Sequence, residues 1–134
     1  MLTQDTENPT YRLNNLEPEK LDFSLESLKH IDDYLESISD KPPEENDYLR
    51  VVLRVGAYVG EVMRKQKANY HWVSHEEASK LSDLVAEWEP SIATAGILWA
   101  GKDSFSFPLG KVCKYLENGR EDSLYFFAKV LLEK

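Results

Sequence analysis

One cysteine, Cys113, is all the sequence holds. A lone thiol closes no internal disulfide and builds no zinc cluster, and it fits a reducing, cytoplasmic setting. Its place between Val112 and Lys114, inside a predicted helix, makes it a packing group rather than a nucleophile. Glycine and proline are sparse too, 6 of each, beside 42% hydrophobic and 30% charged residues, which reads as a globular chain and not a disordered one. No apolar run approaches the roughly 18 residues that a membrane span requires. The opening stretch MLTQDTENPT carries neither a basic segment nor an apolar one, so no secretory signal is expected. No internal repeat or low-complexity tract stands out, and 134 residues is the usual size of one domain.

Positive charge is also scarce. The chain has 16 basic against 24 acidic residues, a net of -8. Residues 1–47 hold 13 acidic and 4 basic groups, a net of -9; the remainder holds 11 and 12, a net of +1. Such a front end repels phosphate backbones and anionic membranes and attracts a basic partner. Neither nucleic acid nor a membrane is expected as a partner.

Catalytic signatures are missing. No Gly-x-Ser-x-Gly elbow or cysteine–histidine signature organises the available side chains. Gly96, Gly101 and Lys102 match the opening of a phosphate-binding loop, but Asp103 stands where a magnesium-ligating hydroxyl belongs, and no helix follows at once. The stretch is expected to be a β-turn at Gly101-Lys102-Asp103. His71 and His75 would share a face only on a helix, and Trp72 and Val73 between them argue against one. No metal and no cofactor are expected.

What is present is periodicity. Leu25, Leu28, Ile31, Leu35 and Ile38 line one face of a first helix, capped by Ser24 and ended by Pro42-Pro43. A second helix is predicted from Asn46 or Asp47 to about Lys67, with Leu49, Val52, Leu53, Gly56, Val59, Gly60 and Met63 inward. Each of its two glycines costs roughly 1 kcal/mol against alanine, so a close approach by another element is expected there. A short strand follows at Asn69–Val73, then a Ser74–Glu77 capping box for a short helix; DLVAEW reads equally as helix or strand. Two strands at Ile92–Ala100 and Ser104–Phe107 precede a helix opened by Pro108 and closed at Asn118-Gly119, and a last helix spans about Asp122 to Leu132. The prediction is an α+β domain over residues 21–134: two N-terminal helices, a small antiparallel sheet and two C-terminal helices, preceded by an extended, loosely held arm over residues 1–20.

The acidic band is the leading candidate site. Asp32, Asp33, Glu36, Asp40, Glu44, Glu45 and Asp47, with Tyr34 and Tyr48 as amphipathic anchors, make a docking surface for a basic protein such as a toxin. Arg50 and Arg54 are expected to neutralise some of these acids. An alternative is a ligand or enzymatic pocket near Tyr58, Glu61 and Trp72; another is a structural subunit that forms a homodimer.

The stretches GAYVGEVMRKQ, YHW and FPLGKVCKYLENGREDSL resemble those of a group of small bacterial domains of unknown function. These share a glycine-spaced helix, a tryptophan-bearing strand and a Phe-Pro segment leading into a helix. The resemblance covers residues 21–133, departs over Ser74–Ser91, and implies a bacterial, cytoplasmic α+β protein. Small acidic proteins of this kind also resemble immunity proteins, which bind and neutralise toxins; that likeness brings no catalytic residues.

Overall fold

Leu28, Ile31, Leu35 and Ile38 recur at helical spacing and are all fully buried. The first three form the inner face of α1, Ser27–Ser37, and Ile38 follows at its end, in the computed structural model, which describes residues 2–133. Ser24 lies one turn ahead of the helix rather than at its N-cap position, which is Glu26, though its hydroxyl oxygen still accepts the Ser27 N–H at 3.1 Å. Helix α2, Glu45–Gln66, runs through the middle of the core. Next come strand β1 (His71–Val73), two short helices α3 (His75–Leu81) and α4 (Asp83–Ala86), and strands β2 (Ile97–Trp99) and β3 (Phe105–Ser106). Helices α5 (Pro108–Asn118) and α6 (Leu124–Leu132) complete the α+β fold. The stretch that read equally as helix or strand is helical at α4, where the Ser82 hydroxyl accepts the Val85 N–H.

The strands lie in the order β1-β2-β3, antiparallel throughout, with Trp72 opposite Leu98 and Leu98 opposite Ser106. That face meets the main core. Val73 and Ile97 point the other way and join Ala78 and Val85 of α3 and α4 in a smaller cluster. Gly101 and Lys102 both have positive φ, 98° and 48°, and turn the chain from β2 to β3. The Ser74–Glu77 capping box forms, Pro108 opens α5, and Gly119 with φ 86° ends it.

The two helical glycines are covered at short range. A Cβ on Gly56 would lie 2.7 Å from Leu109 Cγ and 2.9 Å from its Cα, so α5 crosses α2 there almost backbone to backbone. On Gly60 it would overlap the Trp72 ring at Cζ2 and Cη2. Glycine's helix penalty is thus exchanged for van der Waals contact that no larger residue permits.

Two expectations need correction. Leu49 and Leu53 are not core residues; they are 43% and 42% exposed. The solvent-side stripe of α2 runs Leu49, Leu53, Ala57, Glu61, because Val51, Val55, Tyr58 and Val62 on the other flanks are covered. Residues 2–20 are not the loosely held arm expected for the start of the chain. Leu2 and Leu16 are 8% and 4% exposed within the core cluster, and short 3₁₀ turns at Leu13–Asn15 and Pro18–Lys20 fold the segment back. Arg54 ties it down, donating to the Asn8 carbonyl, the Thr10 hydroxyl and the Asp5 carboxylate at 2.7, 3.0 and 2.7 Å. Pro9 and Pro18 break any long α-helix here, Pro18 opening only a short 3₁₀ turn, but they do not forbid docking.

Candidate functional site

Helix α1 shows two acidic faces with different roles. Asp33 and Glu36 are exposed, and Arg120 from the turn after α5 reaches both, at 3.0 and 3.7 Å. Asp40, just past the helix, is exposed and pairs with Arg12 at 2.9 Å. Glu44 and Glu45 are exposed at the start of α2, with no ion pair among the described residues, while Asp47 is 3.6 Å from Arg50. The expected partners are therefore corrected. Arg50 pairs with Asp47 as expected, but Arg54 is committed to Asp5, and the main counter-charges are Arg12 and Arg120, brought in from distant sequence by the N-terminal segment and by the turn after α5. Such pairs between solvent-exposed groups are worth at most about 1 kcal/mol each and are screened by salt.

Asp32 and Tyr34 do not belong to this surface. Asp32 is 5% exposed, and its carboxylate accepts the Ser123 hydroxyl at 2.6 Å and the Leu124 and Tyr125 backbone N–H groups at 2.8 and 3.3 Å. It caps α6 from across the core, placing negative charge where the helix dipole is positive. Burial raises its pKa, and the three donors only partly oppose that. Tyr34 is 1% exposed, with its hydroxyl donating to the Tyr11 carbonyl at 2.6 Å; burial raises its pKa as well. Tyr48 is half-buried against Cys113, and burial together with that thiol pushes its pKa up to about 12. A period-3.6 pattern shows that Asp32 and Tyr34 neighbour the buried face; only the position of α6 and of the N-terminal segment puts them beneath it.

Tyr58, Glu61 and Trp72 are brought together, though not as one groove. Trp72 sets the Cζ2–Cη2 edge of its ring against Gly60, and its indole N–H donates to Glu61 Oε2 at 2.7 Å. Burial opposes ionisation of Glu61, but Trp72 and Arg64 outweigh it and hold its pKa below the usual carboxylate range. The glycine face is closed, and Trp72 serves as packing there. On the neighbouring side, Tyr58 and Glu61 line a cavity of about 350 Å³ with Leu2, Leu21, Phe23 and Arg54. The Tyr58 hydroxyl accepts the Phe23 N–H and donates to Ser27 Oγ. Phe23 has φ 63°, a left-handed conformation that is costly for a bulky residue, and its ring centroid lies 4.8 Å from that of Tyr58. No glycine or asparagine marks that turn, so the strain leaves no trace in the sequence.

His71 lies on β1 and is exposed, whereas His75 opens α3, so they share no helix face. Among the described residues no helix is long and apolar enough to cross a membrane. No protein-family model, curated protein or solved structure matches the chain.

Proposed function

We propose that the protein is a non-enzymatic binding module whose anionic face docks on a basic partner protein, in the manner of an immunity protein meeting a toxin. One observation supports this above others. Asp33, Glu36, Asp40, Glu44 and Glu45 all stand exposed along α1 and the loop into α2, and two arginines answer five carboxylates. The surplus negative field of that side steers a cationic partner toward it. Asp32 and Tyr34 are left out of the surface because they are interior.

The test neutralises those five side chains together, as Asp33→Asn, Glu36→Gln, Asp40→Asn, Glu44→Gln and Glu45→Gln, and compares capture of cellular proteins by wild type and variant. Wild type retains a basic protein at about 50 mM salt and releases it as the Debye length shrinks toward about 8 Å at physiological ionic strength. The purified pair then associates at least about tenfold faster with wild type than with the variant. Identical capture and identical rates overturn the reading.

A second reading has its own support in the cavity beside Tyr58 and Glu61, where a strained Phe23 covers an aromatic floor. Its volume lies in the range of small-molecule sites. A ligand seated there raises the melting temperature of wild type and does nothing for Ala57→Leu, which fills the cavity from α2. A ligand that stabilises both equally binds elsewhere, and that outcome rejects the second reading.

A further inference from the structure

A groove opens on the side of the molecule built from β3, α5 and α6. Its volume is about 390 Å³, and its walls include Trp88, Phe105, Phe107, Phe127 and Leu131. The Trp88 and Phe107 rings meet at a centroid distance of 5.3 Å with their planes inclined by 59°, so two aromatic faces stand at an angle. Trp88 is 40% exposed, more than a residue of pure core would be.

The electrostatics of this groove run against those of the whole chain. The protein carries a net charge of -8, yet the residues lining the groove include Lys111 and Lys114 and no carboxylate. Lys111 is held by Asp122 at 2.7 Å, and its ammonium lies 6.0 Å from the Phe127 ring centre. Lys114 is exposed and makes no ion pair among the described residues. An available cation therefore stands at the rim of an aromatic cleft.

Ser106 adds a third, independent feature. It lines the same groove, is 6% exposed, and its hydroxyl has no hydrogen-bond partner among the described residues. A buried polar group left unpaired costs about 1–3 kcal/mol, and native proteins rarely tolerate that without a use. Gly110 leaves the floor low: a Cβ there would meet only ordinary contacts, 3.5 Å to Phe107 Cβ and 3.6 Å to Ala93 Cβ.

We propose that this groove binds a small aromatic carboxylate. The flat apolar body lies against Trp88, Phe107 and Phe127, and the carboxylate meets Lys114 at the rim. The size suits one or two fused rings, and the charge selects an acid over an amine of the same shape. This inference does not depend on the docking proposal, since it uses other elements and the opposite sign of charge.

The experiment titrates 1-naphthaleneacetate and, separately, 1-naphthalenemethylamine into ¹⁵N-labelled protein, following the Trp88 indole and Gly110 amide resonances. The acid shifts both saturably with a dissociation constant below about 1 mM, and the amine binds at least about tenfold more weakly. Lys114→Gln, a surface change, weakens the acid about fivefold or more. Gly110→Leu fills the cleft and abolishes binding, with a melting temperature equal to or above that of wild type because leucine is the better helix former. The proposal fails if the acid gives no saturable shift by about 10 mM. It fails equally if the amine binds as tightly as the acid, or if both variants bind like wild type.

Discussion

Replacing Gly60 with alanine lowers the melting temperature by about 10 °C or more, equivalent to roughly 3–5 kcal/mol in a domain of this size. The added methyl overlaps the six-membered ring of Trp72, and the ring has nowhere to go. Its far edge lies against Gly96, where a Cβ would already be only 3.2 Å from Cζ3, and its indole N–H is fixed on Glu61. Strand β1 must therefore move away from α2. Gly110→Ala is the control: the same methyl added to another helical glycine meets only ordinary van der Waals contacts, so its stability stays the same or rises by up to about 1 kcal/mol. A further check is coupling. In a Trp72→Leu background the Gly60→Ala step costs much less than it does alone, and simple additivity of the two changes would show that the ring is not the obstacle.

Asp32→Ala produces a loss of similar size, about 2–4 kcal/mol, by a different mechanism. It leaves the Leu124 N–H buried without its acceptor and removes the negative charge at the start of α6. Denaturant melts give the size of the loss, and their pH dependence gives its character. Burial raises the folded-state pKa of Asp32 above 3.8, so the unfolded chain releases this proton at a lower pH than the folded one. The stability Asp32 contributes is therefore fully present below the unfolded value and declines as pH rises through the folded one. The gap between wild type and Asp32→Ala is widest at about pH 3 and narrower at pH 7. A gap that widens toward neutrality would mean that the three donors, not burial, control the carboxyl group.

These two predictions mark where sequence pattern is informative and where it stops. Gly56 and Gly60, four apart on one helix face, announce a close approach, though not which residues make it. Leu109 and Trp72 arrive from α5 and β1, 53 and 12 residues further along. Asp32 shows the opposite case. As one of a run of carboxylates it reads as part of a solvated or docking face, and only α6, more than ninety residues away, turns it into an interior cap. The same holds for the counter-charges. Of the two arginines near the acids in sequence only Arg50 reaches one, Asp47, while Asp33, Glu36 and Asp40 are answered by the distant Arg12 and Arg120.

The groove illustrates a further limit. Trp88 sits beyond α4 in the stretch whose helix or strand character the pattern left open, and Ser106 is one polar residue in a two-residue strand. Nothing local in either signals a shared cleft. Their meeting with Lys111, Lys114 and Phe127 depends on the packing of three elements at once.

The amino-acid sequence alone settled the class of the fold, the positions of its main helices and turns, and the concentration of negative charge in the first third of the chain. Those are local or additive properties: helical periodicity, capping hydroxyls, the backbone limits of proline and the tolerance of glycine, and a count of ionisable groups. Tertiary structure alone decided which acids face water, that residues 2–20 are folded back and tied to α2 through Arg54, and that aromatic side chains surround a lysine-rimmed cleft. Each of these depends on contacts between residues far apart in the chain, whose free energy comes from burial and exclusion of water and has no counterpart in the spacing of neighbours.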